Sequence, residues 1–183
     1  MNYEALEQQL KEMQKQLKEQ SGNIPEDKLS LIVFSGDLDK VMASLIIATG
    51  AAGMGMEAQM FFTFWGTPAL RHPKKGSGAK DFMGRMFGFL LPKGLSELKL
   101  SKLNMGGMGT MMMQSLMKKK NVSTLPQLLD LAAEAEVKIY ICQMSMDLMG
   151  FKPEEMVDYP HLDYAGVATF LQESSDAKIS MFI

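Results

Sequence analysis

The chain carries one cysteine, Cys142, within VKIYICQMSMDLMGF. Residues 137–141 form a short β-branched and aromatic run, the pattern of a buried strand. Residues 143–149 read as a turn entering a short helix that Gly150 ends. A thiol at the carboxyl tip of a parallel strand, immediately before a helix, occupies the edge where open α/β sheets bind ligands. Backbone N–H groups and the helix dipole at that place favour thiolate over thiol, with the Gln143 N–H and those of the next turn as donors. The other reading of Cys142 is a small apolar residue in a core.

The elements that must position this thiol follow from the hydrophobic pattern. Residues 29–34 are apolar and β-branched and read as the first core strand. Ser35-Gly36-Asp37 is then a turn, with Asp37 placed to cap a helix over 38–49. Gly50, Gly53 and Gly55 follow that helix and precede a strand, so they are turn glycines and not a dinucleotide loop. The second strand, 57–64, ends in Phe61-Phe62-Thr63-Phe64-Trp65-Gly66. In a parallel sheet its tip joins the tips of the first strand and the cysteine strand. Ser35, Gly36, Thr63, Phe64, Trp65 and Gln143 are therefore the candidate lining residues of a pocket around Cys142.

Residues 125–135 read as a helix capped by Ser123 or Thr124, with Pro126 in its first turn. A further helix is expected from His161 to Glu173, with Asp163 as cap, and residues 178–183 read as a closing strand. Strands alternating with helices predict an α/β fold in three layers, α/β/α, around a mostly parallel sheet of about five strands. Residues 1–21 read as a helix with a heptad seam of Tyr3, Leu6, Leu10, Met13 and Leu17, suited to pairing subunits into a homo-oligomer. Residues 22–28 form a linker to the domain at 29–183.

Residues 67–120 interrupt this domain as a Met-rich insertion, with a basic loop at Arg71, His72, Lys74 and Lys75 and helical patterns over 81–91 and 110–119. Nineteen methionines in 183 residues fit gap-filling in a core or an adaptable contact surface. The net charge of −2 gives no case for nucleic acid. One cysteine and two distant histidines make no metal site and no internal disulfide, and no cofactor is expected. The polar first twenty residues do not resemble a secretory signal. No apolar run reaches the roughly 20 residues of a membrane span. The expectation is a cytoplasmic protein.

The segment Cys142-Gln-Met-Ser-Met-Asp-Leu-Met-Gly150 after KIYI, together with LSLIVFSGDLDKVMASLIIATGAAGMGMEAQMFFTFWG, resembles the DsrE/DsrF-like sulfurtransferase family, in its Met-rich branch labelled peroxiredoxin-like. The resemblance covers most of residues 29–183 and implies a DsrE-like, flavodoxin-like architecture. It also implies a sulfur carrier or sulfurtransferase-like protein, with sulfane sulfur held as a persulfide on Cys142. Rhodanese-like or TusA-like proteins would be its partners. Two other functions use the same residues. A one-cysteine peroxide reductase would oxidise Cys142 to sulfenic acid, and would want Arg71 or Arg85 beside the thiol. A non-catalytic oligomeric binding module would leave Cys142 in the core. His161 is the nearby candidate for a proton-transfer partner, against a surface or capping role.

Overall fold

A computed structural model describes residues 11–13, 16, 25–75 and 82–183. The heptad helix expected over 1–21 lies outside the described residues apart from 11–13 and 16, which are helical and exposed. Five strands, β1 (Glu26–Val33), β2 (Glu57–Phe62), β3 (Lys138–Cys142), β4 (Leu162–Ala165) and β5 (Ala177–Phe182), form one sheet in the order β4-β3-β2-β1-β5. Every neighbouring pair is parallel. All five carboxyl ends therefore lie along one edge.

Alternation along the strands sorts side chains onto two faces. Leu29, Leu31, Val33, Met60, Phe62, Ile139 and Ile141 share the main core. Helix α1 (Leu38–Gly53) covers it with Leu38, Val41, Leu45 and Ala48, spaced as one helical stripe. Helix α4 (Leu125–Glu134) adds Leu128, Leu129 and Ala132. A capping box between Thr124 and Gln127 starts α4. Burying each large aliphatic side chain here contributes about 1.5–3 kcal/mol.

The opposite face is covered by helix α6 (Val167–Ser174). Phe170 stacks on Phe61 at 4.8 Å. The far end of α6 is tied to the sheet by polar groups: Lys28 Nζ lies 3.1 Å from Glu173, and Ser174 Oγ lies 2.6 Å from Ser30 Oγ. Gln59 Nε2 donates to both serines. Cys142 belongs to this second face, because it pairs with Ala165 and clusters with Phe61 and Phe170.

The expected helix from His161 is instead strand β4 followed by α6, whose N-cap is Gly166. Asp163 does not cap a helix; its carboxylate accepts the N–H of Tyr164 within the strand. Four residues on a sheet edge are too few for a readable period, and tertiary pairing with β3 decides their conformation. The first strand begins within the stretch read as linker.

The insertion holds helices α2 (Phe82–Leu90) and α3 (Met108–Lys119) with irregular chain between them. Part of its basic loop is interior: Arg71 is buried and lies 3.6 Å from the buried carboxylate of Glu155. Arg71 Nη1 also donates to the carbonyls of Pro92 (3.2 Å) and Leu91 (3.4 Å), and its guanidinium sits 4.5 Å from the centre of the Phe151 ring. That side chain fastens the end of α2 to the domain.

The turns after β1 and β2 meet backbone to backbone. A Cβ on Gly66 would lie 2.2 Å from the Val33 carbonyl oxygen, and one on Gly36 would lie 2.2 Å from that of Trp65. Gly66→Ala is accordingly expected to cost about 1–3 kcal/mol as these strand tips separate. A thermal melt should show a midpoint lowered by roughly 3–10 °C; an unchanged midpoint would contradict this packing.

Candidate functional site

Cys142 is the last residue of β3 and the N-cap of helix α5 (Gln143–Met149). Gly150 ends α5 in the left-handed conformation, φ 65°. A strand running straight into a helix puts the cysteine side chain where a capping oxygen would sit, facing the first free amides of α5. No capping hydrogen bond to the sulfur is closed. The amides of Ser145 and Met144 nevertheless lie close enough to favour its anion.

Two hydroxyls add to them. Thr63 Oγ1 and Ser145 Oγ are 3.0 Å apart, and Ser145 Oγ accepts the N–H of Phe64 at 2.9 Å. Both hydroxyls are near the sulfur and stabilise its ionised form. Their protons can be counted. One joins the two hydroxyls to each other, which leaves one O–H at a time for the sulfur.

Burial is the largest influence on the thiol and pushes its pKa up. The hydroxyls of Ser145 and Thr63, then the amides of Ser145 and Met144, outweigh it and hold the thiol below its ordinary range. All four of these groups are neutral. Cys142 is only 3% exposed, so this stabilisation is delivered by fixed dipoles in partial shelter from water.

The pocket-lining candidates separate into two groups. Thr63 and Phe64 are at the site; Phe64 has φ 43°, a strained value for a bulky residue, and its amide is held by Ser145. The Phe64 ring lies tilted against that of Phe34, with 5.4 Å between their centres. Trp65 is half exposed beside them. Ser35 does not turn to the sulfur: its hydroxyl donates to Asp37 at 2.8 Å. Gly36 shapes the site indirectly through its close approach to Trp65. Gln143 is exposed at the first turn of α5.

His161 lies at the other end of the strands. Its carbonyl accepts the Ile139 N–H, whereas Cys142 pairs with Ala165. It therefore sits away from the strand tip that carries Cys142. Arg71 is committed to Glu155.

Ser145, fully buried, was not a candidate from the sequence. The signal was available: in C-Q-M-S, residues 142 and 145 are the N-cap and N3 positions, the two that interact in a capping box. Among the described residues no cluster of His, Cys, Asp and Glu could hold a metal ion.

An all-parallel α/β domain with a dipole-stabilised thiol at a strand tip defines a thiol-bearing α/β protein. The chain belongs to the DsrE/DsrF/DrsH-like family, whose model matches residues 25–182. It is 44% identical over 156 residues to the uncharacterized protein YrkE of Bacillus subtilis (strain 168), covering 85% of this chain and 96% of YrkE. It is 36% identical over 160 residues to the sulfur carrier protein DsrE2 of Allochromatium vinosum, covering 85% and 98%. The crystal structure of the ychN protein from E. coli shares the fold, with TM-score 0.50 at 8% identity over 85% of this chain and 98% of that one.

The shared hydroxyl proton gives a prediction. In Ser145→Ala the freed Thr63 proton can serve the sulfur, and in Thr63→Val the Ser145 proton can. Each single change should slow alkylation of Cys142 by iodoacetamide at pH 7 by no more than about twofold. The double variant should slow it about tenfold or more, because a hydrogen bond to a charged group contributes about 1.5–3 kcal/mol. Strictly additive effects would refute the shared proton. The sign with pH also follows. A thiol pKa lower when folded than unfolded adds stability that is complete above the ordinary thiol range. That stability is lost as pH falls through the folded value. Cys142→Ser should remove this slope from stability measured across neutral to alkaline pH.

Proposed function

We propose that the protein carries sulfane sulfur as a persulfide on Cys142 and passes it to a thiol on a partner protein. The observation that supports this reading most directly is the set of neutral groups near a sheltered sulfur, two amides and a pair of hydroxyls that offers it one O–H at a time. The family and a relative named as a sulfur carrier agree with it.

The Cys142 thiolate attacks the outer sulfur of a donor persulfide. The donor S–S bond breaks, its thiolate leaves, and a new S–S bond forms at Cys142. An acceptor thiolate then attacks the outer sulfur and Cys142 leaves as thiolate. No net oxidation occurs at either step. The protein's part is to keep Cys142 ionised as both nucleophile and leaving group. An S–S bond of about 2.05 Å moves the transferable sulfur outward from the covered Sγ. The small exposure of Cys142 protects the persulfide from stray thiols and demands a fitted partner.

Having one cysteine, the protein resolves its persulfide on another molecule. Rhodanese-like or TusA-like proteins as donor or acceptor, in a cytoplasmic setting and with the carrier as a homo-oligomer, complete the proposal.

Intact-protein mass spectrometry after incubation with polysulfide tests it. A gain of about 32 Da that is absent in Cys142→Ser, and lost on adding an acceptor thiol, is the expected result. A gain of about 16 Da with peroxide and none with polysulfide would replace sulfur transfer by peroxide chemistry. No adduct with either reagent would leave a binding module.

A further inference from the structure

The insertion has an unusual surface for a domain of this size. Between residues 82 and 120 eleven large apolar side chains are exposed, among them Phe82, Phe89, Leu90, Leu103, Met111 and Met112. Phe89 is 83% exposed and Met111 72%. Scattered exposed apolar residues are ordinary, but so many on one segment mark a contact surface.

The same segment is basic. Arg85 and six lysines face one acid, Glu97, giving a net charge of +6 where the whole chain has −2. The remainder of the chain is therefore at −8. All seven basic residues are exposed. Lys118, Lys119 and Lys120 close α3, and Lys99 and Lys102 precede it.

We infer that the insertion is a docking surface for an anionic phospholipid bilayer, lying in its interface with α2 and α3 in contact with headgroups and acyl chains. Three features favour a bilayer over a protein groove. Met111, Met112 and Met113 are consecutive and all exposed, so they point about 100° apart and cover some 200° of the helix. A groove takes one stripe at i, i+3, i+4 and i+7, whereas an interface wets most of a helix. Lysines beside exposed carbon suit it as well, since their stems bury while their ammonium groups reach phosphate. Beneath α3 an apolar cleft of about 520 Å³, lined by Leu100, Leu103, Met105, Met112 and Leu116 with Lys119 at its edge, can admit the end of an acyl chain.

The charge asymmetry orients the molecule, because the acidic remainder is repelled by the surface that attracts the insertion. Spanning is not involved: no described helix is long and apolar enough to cross a membrane, and α3 has 12 residues. This inference is independent of the chemistry at Cys142. Because α2 packs against α5, docking would bring the cysteine helix near the bilayer.

Sedimentation of the full chain with lipid vesicles tests the inference. The chain should pellet with phosphatidylcholine vesicles containing about one-third phosphatidylglycerol. With pure phosphatidylcholine, or as salt rises from about 0.05 to 0.5 M, partitioning should fall at least tenfold. Lys118→Gln/Lys119→Gln/Lys120→Gln should weaken it about a hundredfold, at roughly fivefold per lysine. Phe89→Ser/Met112→Ser should weaken it at least tenfold. Unchanged melting temperatures confirm that these surface variants fold. No binding to the anionic vesicles, equal binding to neutral ones, or loss of binding because copies of the chain bury Phe89 and Met112 against each other would overturn it.

Discussion

The site depends on one buried hydroxyl. Ser145 Oγ accepts the amide of Phe64, shares a proton with Thr63 and lies beside the sulfur of Cys142. It joins the tip of β2 to the start of α5, so two strand ends are fixed relative to each other by the group that also stabilises the anion. The left-handed Phe64 persists because that amide has a partner inside the protein. Burial alone would leave Cys142 an inert core thiol, and the surrounding dipoles reverse that outcome. Because they are neutral, the site gains anion stability without drawing soluble anions to it.

The close approach of the two strand-tip turns makes this geometry reproducible. Gly36 and Gly66 let backbone meet backbone with no side chain between them. Behind them, the two faces of the sheet do different work. The face under α1 and α4 is a continuous hydrocarbon core, while the face under α6 mixes Phe61 and Phe170 with Gln59, Ser30 and Lys28. Cys142 sits on the second face, near polar groups, and not in the larger core.

Much of this was legible in the sequence. The strands at 29–34, 57–64 and 137–141 declared themselves by β-branched and aromatic runs, and the position of Cys142 between a strand and a helix followed directly. Strand β4 did not, because four residues at an edge carry too little pattern and their partner, β3, is supplied by the tertiary fold. Ser35 and Thr63 looked equivalent as hydroxyls at strand tips. Only coordinates separate them, since Ser35 is taken by Asp37 two residues on, whereas Thr63 meets Ser145 from 82 positions away. Arg71 looked like a loop charge for the same reason. Its partner Glu155 lies in a distant turn, and sequence spacing says nothing about such a pair.

The strand order has a kinetic side. β1 is an interior strand whose second neighbour is β5, so Asp27 meets Lys178 across 151 positions of chain. During synthesis one hydrogen-bonding edge of the apolar β1 stays vacant until nearly the whole domain has emerged. A parallel pairing of such high contact order closes slowly. Over that interval the open edge can recruit strands from other nascent chains. The length of that interval is set by topology and is independent of any residue at the thiol.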